Sequence, residues 1–151
     1  MEYRVTVSYK ILPQQGLVCF RYSGLIRAGE TSAAFGTLLR DPDYRPELRQ
    51  FVDLSAVSGL QLDLTKARQT MEASAAEFAR SRQPQVPVLF APTPLSQSIA
   101  RIAQQIWQQH TGLQPLMADQ PDQLPALLNL PERQVSHVLM TRTRSNPNGA
   151  A

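Results

Sequence analysis

Val86-Pro87-Val88-Leu89-Phe90-Ala91-Pro92-Thr93-Pro94 is the stretch that decides the fold. Residues 86–91 are apolar without alternation, the pattern of a strand covered on both faces, as in a parallel sheet. Thr93-Pro94 then opens a helix. Threonine can accept from an otherwise orphaned amide, and proline suits the first turn because its missing N–H is not needed there. Leu95, Ile99, Ile102, Ala103 and Ile106 follow on one face, and Gly112 can end the helix.

The same grammar extends in both directions. Upstream, Leu64, Ala67, Met71, Ala75 and Phe78 recur at helical spacing behind Asp63, a capping residue, while Lys66, Arg68, Glu72 and Arg80 face outward. Before that helix, residues 48–54 are apolar enough for an interior strand centred on Phe51 and Val52. A short amphipathic helix over 29–40, with Phe35, Leu38 and Leu39 on one side, stops at Asp41-Pro42. The chain opens on Tyr3, Val5, Val7, Tyr9 and Ile11, which alternate with polar residues. This half-buried strand, a turn at Pro13-Gln14-Gln15-Gly16 and a second strand over 17–23 make a hairpin.

Downstream, residues 113–117 read as a short strand and 122–129 as a helix started by Pro121-Asp122. Beyond Pro131 the pattern weakens. Val135, Val138 and Leu139 suit either a short helix or an extended segment docked on the body. The order ββαβαβαβα predicts one α/β domain over residues 1–131, with a mixed four- to five-stranded sheet that is largely parallel in its second half. Residues 132–151 form a C-terminal extension whose end, from Ser145, is expected to be mobile.

Composition narrows the function classes. Of 151 residues, 42% are hydrophobic and 18% charged, which is globular rather than disordered. No apolar run approaches the roughly 20 residues of a membrane-spanning helix. Met1-Glu2-Tyr3-Arg4 is not a basic segment followed by an apolar one, so no signal peptide is expected, and Cys19 is the single cysteine. A cytoplasmic protein is expected, with no internal disulfide, no metal site and no cofactor. The formal charge of +3 does not point to nucleic acid. Arg133, Arg142 and Arg144 against Glu132 place +2 of it after Pro131, leaving a near-neutral body with no clustered cations.

Phe51-Val52-Asp53-Leu54-Ser55-Ala56-Val57 resembles the third strand of STAS domains, and the chain is similar to the bacterial SpoIIAA-like proteins grouped with them. Supporting features are Leu39-Arg40-Asp41-Pro42-Asp43-Tyr44-Arg45-Pro46 before that strand, Phe90-Ala91-Pro92, and Ala126-Leu127-Leu128-Asn129-Leu130-Pro131. The resemblance covers residues 3–131. It implies the SpoIIAA-like fold and a non-enzymatic regulatory module that binds another protein. In antagonists of this family a serine at the start of the following helix is phosphorylated. The corresponding Asp-Ser-Ser falls here on Gln61-Leu62-Asp63, so the acceptor serine is absent at its place. Ser55, Ser58 and Thr65 lie nearby, and Asp63 can either carry a standing charge or simply cap the helix. Ser55, Ser58, Asp63 and Thr65 are therefore the expected regulatory or partner loop, and a homodimer is compatible with such a module. Lipid-holding relatives imply a second expectation, a small apolar ligand between sheet and helices near Phe78 and Trp107. The alternative there is that both rings complete the core.

Enzymatic chemistry finds little support. Asp41, Asp43, Asp53 and Asp63 are the grouped carboxylates, but aspartates beside Pro42 suit a turn. His110 sits where an imidazolium favours a helix C-terminus, His137 lies in the uncertain extension, and neither has a neighbour in sequence that suggests a triad or a metal ligand. There is no dinucleotide fingerprint, phosphate-binding loop or nucleophile elbow. A hydrolase or metal enzyme built on Asp53 is the third and weakest expectation.

Overall fold

The computed structural model describes residues 6–61, 63–82 and 85–140. The expected strand start at Tyr3, and the tail from residue 141 with its Arg142 and Arg144, lie outside them. The elements are β1 (Val7–Leu12), β2 (Leu17–Arg27), α1 (Ala28–Leu39), β3 (Arg49–Gln61), α2 (Leu64–Arg80), β4 (Val88–Phe90), α3 (Pro94–Thr111), β5 (Leu116–Ala118), α4 (Leu124–Leu128) and α5 (Glu132–Met140). They form one α/β domain around a five-stranded mixed sheet in the order β1-β2-β3-β4-β5. β1 is antiparallel to β2, and every later neighbour is parallel. The hairpin turn closes through Gly16, whose φ of 69° needs glycine and whose N–H donates to Pro13.

Because strand order follows chain order, right-handed crossovers place the three connecting helices on one face. Side-chain alternation agrees. Val18, Phe20, Tyr22, Val52, Leu54 and Leu89 pack towards Phe35 and Leu38 of α1, Ala73 of α2, and Ala100 and Ala103 of α3. Leu17, Cys19, Phe51, Val88 and Phe90 point the other way, onto Leu124 and Leu128 of α4 and Val135 and Val138 of α5. Residues 132–140 are thus a helix docked on the core rather than an extended segment. Their apolar positions at three-residue spacing cover a sheet face that would otherwise be bare.

Three differences from the expected elements have local causes. β2 continues past Ser23 to Arg27 and β3 past Leu54 to Gln61, because these extensions pair with each other, from Ser23↔Ala56 to Arg27↔Gln61. Register shifts between Arg21 and Ser23 and between Gly24 and Leu25 break the period of two, which hides the strand in the sequence. Gly24 takes the positive φ, 69°, at that irregularity. Ser55 and Ser58 therefore lie on a strand, a correction to the loop expected there. Lastly, β4 is shorter than residues 86–91 because Pro87 has no N–H to give. Its carbonyl still accepts from Leu116, and Ala91 donates to Ala118.

No helix among the described residues is long and apolar enough to cross a membrane.

Candidate functional site

The carboxylates singled out in the sequence go to separate structural tasks. Asp53 is buried on the α4/α5 side, where Arg21 Nε donates to its Oδ2 at 3.1 Å and the Ser55 amide to its Oδ1 at 2.9 Å. Arg21 also donates from Nη2 to the Leu139 carbonyl at 2.9 Å, so the pair clamps α5 to the sheet. Asp41 accepts from the Tyr9 hydroxyl and from the Asp43 amide, a local turn. Asp63 caps α2 by accepting from the Lys66 amide at 3.1 Å. Among the described residues no three His, Cys, Asp or Glu side chains converge as metal ligands. Burial pushes the Cys19 thiol up to about 12, which suits a small packed hydrophobe rather than a nucleophile.

The expected regulatory residues are spread along one end of the sheet. Ser55 and Ser58 are exposed on β3, Asp63 is exposed at the cap of α2, and Thr65 is exposed in its first turn. Beyond Asp53, β3 has no register with β4, whose pairing stops at Asp53↔Phe90.

Phe78 and Trp107 do meet. Their centroids are 5.3 Å apart and their planes cross at 84°, an edge-to-face pair joining α2 to α3. Trp107 is 2% exposed and lines a cavity of about 150 Å³ between the sheet and helices α1–α3. Phe78 stands behind Trp107, outside the cavity wall. The sheet contributes Phe20, Tyr22, Val52, Leu54 and Leu89 to the wall, and α3 contributes Ile99, Ile102, Ala103 and Ile106. The exposed wall residues are Gln61 and Asp63, so the cavity meets solvent at the carboxyl ends of β2 and β3. Ser74, at the inner end, lies eleven positions after Asp63, about 16 Å along α2 at helical rise.

Polar groups inside are few. Burial pushes the Tyr22 phenol upward, and its hydroxyl shares a hydrogen bond with Thr31. At the inner end Gln50 Nε2 donates to Ser74 Oγ at 3.1 Å. Asp63 at the mouth is the sole charged residue among those lining the space. Trp107 was expected at such a site and Ala103 on the apolar face of its helix, whereas Gln50 and Ser74 were not expected there. The signal was there in one respect: Ser74 interrupts the apolar face of α2, a place where a polar side chain needs a reason.

No family model matches the chain, and no curated protein matches it. Fold and site together define a single α/β domain with an apolar internal cavity open at one end.

Proposed function

We propose that the protein binds a small apolar ligand in the cavity between the sheet and α1–α3. The observation that carries this is the cavity itself. A close-packed interior leaves few voids larger than a water molecule, whereas here a wall of almost wholly apolar side chains encloses about 150 Å³. Such space is poorly hydrated, so an apolar molecule gains dispersion contacts on entry. No residue in the wall offers a nucleophile with an activating base, so the reading is of a carrier or sensor rather than an enzyme. Native mass spectrometry of protein purified from its own host tests it. The expected result is one small adduct per chain, removed by filling the cavity at Ala103. Repeated absence of any adduct, with no apolar compound binding in solution, would refute it.

A second reading, the STAS-like interaction module of the family resemblance, has one observation in its favour. β3 projects beyond β4 and displays Ser55 and Ser58, exposed, on the strand that leads into α2 with its exposed Thr65. Phosphopeptide mapping after incubation with a host extract tests it. Unmodified Ser55, Ser58 and Thr65 would remove the phosphoregulatory form of this reading.

A further inference from the structure

The cavity's polar groups and shape define what it takes. Ser74 is 5% exposed, on the apolar face of α2, and accepts from the Gln50 amide. With the amide oriented so, the Ser74 hydroxyl proton, the second Gln50 amide N–H and the Gln50 carbonyl oxygen are hydrogen-bonding capacity beyond that one bond. Turning the amide over exchanges the roles and still leaves the pair with both donor and acceptor capacity. Ser74 is buried and Gln50 half-buried, and both residues line the same inner end of the cavity, where their spare bonding capacity can face a ligand. Most of the other polar wall groups are already engaged. Tyr22 and Thr31 bond to each other, Thr70 donates to the Lys66 carbonyl, and Gln61 is exposed.

Charge and size set further limits. Among the described residues the lining includes no Lys, Arg or His, and Asp63 stands at the mouth, so a carboxylate or phosphate would enter past a like charge and end unpaired. The volume of about 150 Å³ is the size class that admits benzene, hence about six carbon atoms. The lining runs along α2 from Asp63 to Ser74, so the space is a slot that suits a slender chain rather than a broad ring system.

We infer that the cavity selects a neutral, short, unbranched molecule carrying one hydroxyl or carbonyl group, which inserts polar end first and hydrogen-bonds to Gln50 and Ser74. This rests on the apolar-ligand reading above and narrows it, excluding long acyl chains and anions.

Four probes separate the ideas: 1-hexanol, hexane, hexanoate and hexadecanoate, each followed by calorimetry and by the fluorescence of Trp107, the chain's single tryptophan. The expected order is 1-hexanol tightest, hexane weaker, and the two anions weakest. In Ser74→Ala, 1-hexanol should lose about three- to tenfold in affinity, the range of one neutral hydrogen bond. Hexane binding should persist in that variant, which also shows that the cavity and fold are intact. If hexanoate or hexadecanoate binds more tightly than 1-hexanol, the inference fails while the apolar-ligand reading stands. Equal loss of 1-hexanol and hexane in Ser74→Ala, or no loss of either, overturns the assignment of the polar pair. Binding of none of the four overturns both the inference and the reading beneath it.

Discussion

Replacing Ala103 by leucine asks directly whether the space along α3 is real. Ala103 lines the cavity and Ala100, one turn earlier on the same helix, does not; Ala100 is 0% exposed and packed among Leu54, Val57 and Leu89. Leucine adds three carbons. At about 0.8 kcal/mol per buried methylene the most they can contribute is ~2.4 kcal/mol. An unfilled space of about 150 Å³ at ~24 cal/mol per Å³ costs up to ~3.6 kcal/mol, so the added volume has room to act. In a filled core the same change costs about 1–3 kcal/mol in displaced neighbours. Ala103→Leu is therefore expected to stabilise the ligand-free protein by about 1–2 kcal/mol, raising Tm by roughly 2–8 °C for a chain of this length. Ala100→Leu should destabilise it by about 1–3 kcal/mol. Urea denaturation followed by Trp107 fluorescence reads both, with unchanged m values confirming that the same transition is compared. Loss of stability in Ala103→Leu comparable to that in Ala100→Leu would show that α3 has no free space beneath it, and the cavity argument would fall.

Three other expectations concern the frame around the site. Asp53→Ala should cost about 2–3 kcal/mol, since Arg21 loses a charge-assisted partner while held against α5. Faster amide exchange in α5 than elsewhere should accompany it; uniform exchange would mean the pair does not clamp that helix. Cys19 should resist thiol reagents at pH 8 until the protein unfolds, because burial holds its pKa at about 12, and rapid native-state labelling would contradict its place under α4 and α5. Glu30 provides an acid-side signature. Burial opposes its ionisation, but hydrogen bonds from the Thr6 hydroxyl and amide and from Arg27 outweigh this and hold the carboxyl below its ordinary 4.5. A depressed folded pKa contributes stability above the unfolded value and loses it as pH falls through the folded one. The stability difference between the protein and Glu30→Gln should thus be largest above pH 4.5 and shrink below it; a difference independent of pH would refute the assignment.

Much of the fold was legible because its signals are local. The helix of Thr93-Pro94 carries its own start signal, in which Ser96 N–H donates to Thr93 Oγ1 and Thr93 N–H to Ser96 Oγ. It also carries its own stop, Gly112, at a φ of 74°. Asp63 caps α2 as its position predicts. What escaped the sequence were features set by how one segment fits a distant one. The extension of β3 to Gln61 is invisible by periodicity, since register shifts against β2 scramble the alternation. For the same reason Ser55 and Ser58 read as loop when they are strand.

The sequence by itself determined that one α/β domain forms, that its later strands are parallel, and that Trp107 and Phe78 lie on helices over the sheet. Those properties follow from the period of apolar residues and from capping chemistry, both written within a few residues of chain. Tertiary structure alone decided that α5 closes the far face through Arg21 and Asp53, and that α1, α2 and α3 leave space beneath them. Whether two helices close over a sheet or stand off it depends on how side chains far apart in sequence fit together, and volume is a property of that fit rather than of any segment.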